Sequence, residues 1–138
     1  MLMYHIIYLS TAVTHFSEEE LKELLIKARK FNTTQNITGI LFYKEGYFLQ
    51  AIEGNKERVI SLFENIKKDK RHKNVITLFD EDIVSRSYPE WSMAYPDPNI
   101  ENTDLPEGYN NLLNKEASSP DLVNYSLKVR AFMRRFVA

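Results

Sequence analysis

A glutamine stands among large apolar residues in the segment YFLQAIEG, at positions 47–54. Strand alternation places Gln50 on the same face as Phe48 and Ile52. A primary amide carries two N–H donors and a carbonyl acceptor, and leaving such a group unpaired in a core costs about 1–3 kcal/mol. Gln50 is therefore expected to have a hydrogen-bonding partner within the same apolar surroundings.

Other polar side chains with suitable chemistry lie near the ends of neighbouring apolar runs. Tyr8 follows one such run and Asn32 follows another, while Arg71 and His72 belong to the basic run KKDKRHK. A phenol, two amides and a guanidinium can together bind the polar edges of a ligand. The groove that we expect between two helices would be walled by Ile6, Leu24, Ala28, Phe48, Ile52 and Ile66. Such a groove suits a flat, mostly apolar ligand with a few fixed hydrogen-bonding edges.

The spacing of apolar residues predicts the elements that position these groups. Strand-like alternation occurs in MYHIIYLS, in the hairpin ITGILFY-KEG-YFLQAIEG, in VITLFDEDI and in WSMAY. Helical spacing follows Ser17 and Asn55. The order β-α-β-β-α-β-β is typical of ferredoxin-like folds, which are two-layer α+β sandwiches. Because this fold places the first and third strands side by side, Tyr8 and Gln50 should be neighbours on the helix-covered face.

Capping residues predict where the two helices begin and end. Ser17 and Glu20 have the spacing of a capping box, and Asn55 is the N-cap of the second helix. Asn32 falls at the C-terminal end of the first helix, where asparagine tolerates the left-handed cap conformation. The inward stripes are Leu21, Leu24, Leu25, Ala28 and Phe31 in the first helix and Val59, Leu62, Phe63 and Ile66 in the second.

The C-terminal third of the chain differs in character from the rest. We expect one domain at 1–95, followed by a linker and helical cap at 96–138. PDPNIENTDLPEGYN has the Pro, Asn and acidic content of an ordered loop or linker. Ser119 and Pro120 suit the N-cap and first position of a third helix. The apolar stripe of that helix would pack on the free face of the sheet or on a partner chain.

Composition excludes several classes of function. The 138 residues carry a net charge of −1, which argues against a general affinity for nucleic acid or anionic lipid. No apolar run approaches the length of a membrane span, and no signal-peptide pattern is present, so a cytoplasmic location is expected. Cysteine is absent, which excludes disulfides and thiolate catalysis. The three histidines lack metal-ligand spacing, and no Ser-His-Asp grouping occurs, so neither a metal nor a catalytic residue is expected.

A set of short motifs adds a family resemblance to these patterns. IIYLSTA, ARKFN, ITGILFYKEGYFLQAIEG, DKRH and WSM occur in this order between residue 3 and about residue 95. In combination they resemble the BLUF family, the blue-light sensors that use flavin. The segment 96–138 resembles the cap helices of short, single-domain members. The resemblance implies a non-enzymatic photoreceptor that binds its flavin non-covalently.

The resemblance also implies a role for the buried polar groups. Gln50 would lie between the Tyr8 phenol and the N5 and C4 carbonyl edge of the flavin ring, which supplies the partners its amide needs. Asn32 would hold the ring's carbonyl and N3–H edge. Light-driven electron transfer from Tyr8 to flavin, coupled to proton movement through Gln50, would rearrange the glutamine's hydrogen bonds. Absorption would then shift slightly to the red without a covalent adduct.

The family pattern places further residues around the ring and its phosphate tail. Arg71 would bind a ring carbonyl or the phosphate, and His72 would line the ring. Trp91 and Met93 would form the mobile pair on the last strand that responds to Gln50. The apolar walls would include Phe48 and Ile66. FAD is the expected flavin, with FMN or riboflavin tolerated, and the expected partners are a signalling protein and further copies of the chain.

Two positions depart from the family pattern, and other functional classes remain as alternatives. Phe31 stands where members often carry a polar residue, and Ala28 where some carry serine; neither change should prevent flavin binding. A non-photoactive interaction module or an RNA-binding module is the alternative, since RNA-recognition motifs share the βαββαβ order and use sheet aromatics. An acylphosphatase-like enzyme would need a phosphate-cradling loop, and STAVTHF has no glycine.

Overall fold

Four strands and two helices alternate in the part of the chain that the structure describes. The structure is a computed structural model and describes residues 2–86. Its elements are β1 (Met3–Ala12), α1 (Glu18–Gln35), β2 (Thr38–Lys44), β3 (Tyr47–Asn55), α2 (Lys56–Lys68) and β4 (His72–Ile83). These are the first six elements of the predicted order. The predicted strand at 91–95 and the predicted helix after Ser119 lie outside the described residues.

The strands form one antiparallel sheet in the order β2-β3-β1-β4. The two central strands are therefore β1 and β3, which confirms the ferredoxin-like α+β prediction. β2 and β3 join through a two-residue turn, Glu45 and Gly46, with φ values of 52° and 84°. Both angles belong to the type I′ turns that match the twist of a hairpin. β4 pairs with the other side of β1 and begins at His72, inside the basic run.

The predicted starts of both helices are confirmed. The Glu20 backbone N–H donates to Ser17 Oγ over 3.2 Å, and the Ser17 N–H donates to Glu20 Oε1 over 3.1 Å. These two bonds are the capping box. At the second helix the Arg58 N–H donates to Asn55 Oδ1 over 3.2 Å. Each helix thus begins where a side-chain oxygen satisfies a backbone donor of the first turn.

The predicted end of the first helix is wrong by one turn. α1 continues past Asn32, and Asn36 adopts the left-handed cap conformation with φ 54° and ψ 41°. The Asn36 N–H donates back to the carbonyls of Asn32 and Thr33. Thr33 Oγ1 donates to the Arg29 carbonyl over 2.8 Å, which satisfies its hydroxyl within the helix. Asn32 is therefore a buried residue inside α1, one turn before the cap, and not the cap itself.

The core lies between the helices and one face of the sheet. The sheet contributes alternate residues of its central strands, and each helix contributes its inward stripe. The principal members are Ile6, Leu41, Phe48, Ile52, Leu21, Leu25, Val59 and Phe63. On the opposite sheet face, Ile7, Leu49 and Ala51 are buried as well. Because side chains alternate along each strand, Tyr8 and Gln50 fall on the helix-covered face with this core.

Candidate functional site

A cavity of about 340 Å³ opens between the helix-covered face of the sheet and both helices. Its volume lies within the range of small-molecule sites, roughly 300–1,000 Å³. All six described elements contribute to the lining, but β4 contributes only its first residue, His72. The lining residues are Tyr8, Phe16, Leu24, Lys27, Ala28, Phe31, Asn32, Leu41, Phe48, Gln50, Leu62, Asn65, Ile66, Asp69, Arg71 and His72. The lining thus combines apolar side chains with polar ones, and some of the polar side chains are paired with each other.

Tyr8 and Gln50 are direct partners on the floor of this cavity. They lie opposite each other in the register of β1 and β3. The Tyr8 hydroxyl donates a hydrogen bond to the Gln50 carbonyl oxygen, Oε1. Both side chains are buried, with relative exposures of 4% and 8%. The sequence prediction that Gln50 has a partner in apolar surroundings is thereby confirmed, and that partner is a phenol 42 residues away.

The surroundings of Tyr8 favour its protonated form. Burial raises the pKa of the Tyr8 phenol well above its ordinary value, and the negative charge of Asp69 raises it further. The Phe63 ring lies against it, with ring centroids 5.4 Å apart, and His72 meets it edge-on at 6.3 Å. Tyr8 is therefore held as a proton donor toward Gln50 throughout the physiological pH range.

Native Tyr8 should stay protonated at a pH where free tyrosine ionises, near 10. A folded-state pKa above the unfolded value stabilises the protein below pH 10, and that stabilisation is lost as pH rises further. Tyrosinate absorbance of the native protein and of Tyr8→Phe should superimpose up to the onset of alkaline unfolding. In denaturant the tyrosinate absorbance of the wild type should exceed that of Tyr8→Phe by the contribution of one tyrosine. A native difference of one tyrosine near pH 10 would contradict this assignment.

Asn32 brings a second amide to the cavity from the last turns of α1. Its side chain lines the cavity, and the residue is only 2% exposed. Its backbone carbonyl accepts from the Ile37 N–H over 2.9 Å, so the turn that carries it is fixed to the start of the hairpin. Two buried amides, Asn32 and Gln50, therefore line one cavity from different elements.

The His72 side chain connects the start of β4 to α2 and to β1 by hydrogen bonds. Its Nε2–H donates to the Ile66 carbonyl over 2.5 Å, and the Ser10 hydroxyl donates to Nδ1 over 2.8 Å. The carbonyl can only accept, so Nε2 carries the proton. The ring is thus held between α2 and β1 with a fixed face toward the cavity. Sequence reasoning placed His72 in the site but did not identify Ser10 as its support.

Arg71 and Asp69 form an ion pair at the cavity's edge. Arg71 Nε donates to Asp69 Oδ1 over 3.0 Å, and Nη2 donates to Oδ2 over 2.5 Å. These hydrogen bonds hold the pKa of Asp69 below and that of Arg71 above their ordinary values. Both side chains remain partly exposed, with relative exposures of 53% for Arg71 and 32% for Asp69. A guanidinium has five N–H donors, so this pairing leaves capacity for a further anion or carbonyl.

The structure brings together most of the predicted site residues. Tyr8, Asn32, Phe48, Gln50, Ile66, Arg71 and His72 all line the cavity. Ile6 and Ile52 belong instead to the packed core beneath it. Trp91 and Met93 lie outside the described residues. Sequence reasoning missed Lys27 and Asn65, each of which directly precedes a residue of an inward helical stripe; that adjacency is the signal that could have identified them.

The lining suits a flavin ring. Leu24, Leu41 and Leu62 supply apolar walls for a flat aromatic body. Asn32 and Gln50 each present a donor and an acceptor, which is what the alternating carbonyl and N–H groups of a flavin edge require. Phe31, at 44% relative exposure, belongs to the more open part of the lining. Lys27 and Arg71 also line the cavity and add positive charge, as a phosphate tail would need.

The described residues give no indication of a metal site or of a membrane-spanning helix. Within residues 2–86, no group of three or more His, Asp or Glu side chains is arranged to hold a metal ion. Over the same part of the chain, none of the helices has the length and hydropathy required to cross a membrane.

Comparison with known proteins agrees with the geometry. The family model "BLUF: Sensors of blue-light using FAD" matches residues 3–94. Photoactivated adenylate cyclase subunit beta of Euglena longa is 35% identical over 88 residues, which cover 63% of this chain and 10% of that protein. The ground-state structure of BlsA superposes with a TM-score of 0.68 at 29% identity, covering 96% of this chain and 85% of that one.

A further similar structure is of a protein solved together with FMN. Klebsiella pneumoniae BlrP1 with FMN and cyclic diGMP gives a TM-score of 0.65 at 30% identity, covering 74% of this chain and 27% of that one. The chain spans about a tenth of the length of the curated relatives it matches. The match over residues 3–94, together with the paired phenol and amide in a ring-sized cavity, decides the family. The chain belongs to the BLUF family, the flavin-binding sensors of blue light.

Proposed function

We propose that Tyr8 and Gln50 are the light-responsive pair of this photoreceptor. The observation that supports the proposal is the hydrogen bond from the Tyr8 hydroxyl to the Gln50 carbonyl inside the cavity. A buried phenol with a raised pKa can supply an electron and a proton together more easily than either alone, because its ionised form is disfavoured. Bound flavin supplies absorption of blue light and an excited state that accepts an electron.

The Gln50 amide acts as a two-state element. In the described state its carbonyl accepts from Tyr8, which directs the two N–H donors of the same amide elsewhere. Rotation or tautomerisation exchanges these positions, so the group facing Tyr8 changes from acceptor to donor. A tenfold change in the ratio of the two states needs about 1.4 kcal/mol of differential interaction. One hydrogen bond supplies free energy on that scale.

The remaining lining residues hold the ring. Asn32 would hold its carbonyl and N–H edge, and Phe48 and Ile66 would contribute apolar walls. His72 would line the ring, and Arg71 would bind a ring carbonyl or the phosphate. FAD is the occupant that we propose, in keeping with the family description, and FMN or riboflavin should be tolerated because most of the proposed contacts are to the ring that all three share.

The chain acts as a sensor and not as an enzyme. Its relatives include subunits of photoactivated adenylate cyclases, of which it spans about a tenth. We assign light detection to residues 1–95 and output to the segment 96–138. Trp91 and Met93 would carry the change at Gln50 to that segment. The expected partners are a signalling protein and further copies of the chain, in the cytoplasm.

A light-minus-dark absorption spectrum tests the proposal. The purified protein should be yellow, and blue light should shift the flavin bands to the red without bleaching them. The shift should reverse in the dark, because no covalent bond has formed. Bleached bands under illumination would indicate different photochemistry, and a colourless protein that stays colourless after incubation with FAD, FMN or riboflavin would contradict flavin binding.

A further inference from the structure

Arg86 connects three separate elements from its position just beyond β4. Its Nη1 donates to Thr38 Oγ1 over 2.9 Å and to the Glu53 carbonyl over 3.3 Å. Its Nη2 donates to the Asn36 carbonyl over 2.6 Å. These acceptors lie 48, 33 and 50 residues away in sequence. A planar guanidinium can bridge them at once because its donors point in fixed directions, as a lysine's do not.

Two of the three acceptors, Asn36 and Glu53, belong to the elements that carry the cavity's two amides, and the third, Thr38, lies on β2. Asn36 is the cap of α1, and its N–H donates to the carbonyl of Asn32. Glu53 lies on β3, three residues beyond Gln50. Thr38 opens β2 and donates to Glu53 Oε1 over 3.0 Å, where Glu53 is fully buried. The contacts of Arg86 therefore fix the position of the α1 end relative to β3.

The C-terminal end of α1 offers a comparison that separates this function from simple helix capping. The last turn of α1 has no basic residue, and two arginines from other elements reach its carbonyls. Arg58 donates to the Gln35 carbonyl over 3.1 Å in an exposed contact, and Arg86 donates to Asn36. Both complement the helix dipole. For Arg86 the described contacts extend to β2 and β3 as well.

We infer that Arg86 is a positioning residue of the photocycle: it holds the Asn32 turn and the Gln50 strand at their working separation and ties both to the chain that follows β4. The inference deepens the proposed function and rests on it. The contacts of Arg86 exist in the state in which Tyr8 donates to Gln50. Removing them weakens the preference for that state, so return to it after illumination should slow.

The test measures the rate of dark recovery after a blue-light pulse, together with the flavin content and the dark absorption maximum. Arg86→Met should slow recovery by about tenfold, equivalent to about 1.4 kcal/mol, with flavin content and dark maximum retained. Arg58→Met removes the same charge from the same helix end and should recover within about twofold of wild type, as expected for an exposed contact. Arg86→Lys should restore part of the rate.

Thr38→Val tests the same hydrogen bonds from the other side, because it removes the hydroxyl that accepts from Arg86. It should slow recovery by itself, and the double variant with Arg86→Met should slow recovery less than the product of the two single effects, because both remove one shared bond. If Arg86→Met does not retain flavin, Arg86→Lys and Thr38→Val decide, and unchanged recovery in both overturns the inference. Unchanged or faster recovery in a loaded Arg86→Met also overturns it. A wild type without a light-induced shift would instead refute the proposed function.

Discussion

Gln50→Leu should keep the protein yellow and abolish its light-induced red shift. Leucine is one heavy atom shorter than glutamine, and it can neither accept a hydrogen bond from the Tyr8 hydroxyl nor exchange a carbonyl for an N–H group. The other residues that line the cavity are unchanged by this substitution. The measurement is the light-minus-dark difference spectrum at matched flavin content, and the expected amplitude is zero within error. The Tyr8 hydroxyl loses its partner, so some loss of stability, about 1–3 kcal/mol, should accompany the change.

Matched variants separate the switch from general damage to the fold. Tyr8→Phe should also abolish the shift, because it removes the donor of the same hydrogen bond. Tyr4→Phe makes the identical chemical change four positions earlier on β1 and should leave the shift intact. Gln35→Leu removes an amide from the exposed end of α1 and should do the same. A red shift of normal size in Gln50→Leu would exclude the glutamine from the photochemistry.

Gly39→Ala should destabilise the domain strongly, although it adds a single methyl group. A Cβ at Gly39 would lie 2.0 Å from the Ala51 carbonyl oxygen and 3.0 Å from the carbonyl carbon. Both atoms are backbone, so β2 must move away from β3 to make room. We expect a loss of about 3 kcal/mol or more in the free energy of unfolding, measured by urea denaturation. The shift of β2 would also displace Leu41 from the cavity wall and lower flavin content.

Gly46→Ala is the matched control for Gly39→Ala. Gly46 has φ of 84°, which costs an alanine strain, but a Cβ there would meet no atom within 4 Å. The expected loss is about 1 kcal/mol with normal flavin content. Equal losses in the two variants would show that the close approach of β2 to β3 does not govern stability at this position.

The sequence was sufficient where a local pattern determines the structure. The capping box at Ser17 and Glu20 needs only a spacing of three, and the alternation around Gln50 needs only one strand. The pairing of Tyr8 with Gln50 also followed, because the order of elements determines which strands are neighbours. The identity of the ligand as a flavin came from the family motifs. Neither amide by itself could have indicated which ligand binds.

The end of α1 shows why the rest could not be predicted. Asn32 and Asn36 are the same residue type four positions apart, and either could adopt the left-handed cap conformation. The choice depends on donors supplied from far along the chain, since Arg58 and Arg86 reach the last carbonyls of the helix. Likewise, the support of His72 by Ser10 spans 62 residues. No local propensity contains such information.

The cavity's lining extends along the chain from Tyr8 to His72 and comes from elements at both ends of the described fold. The last lining residue, His72, is synthesised only after both helices and three strands. A shorter nascent chain therefore lacks part of the cavity and cannot surround the flavin. Acquisition of the chromophore is therefore a late event in biogenesis. A ligand that binds only the folded state adds RT ln(1 + [L]/Kd), about 2.7 kcal/mol at a hundredfold excess over Kd. In cells with little flavin, the receptor should therefore be less stable as well as unable to detect light.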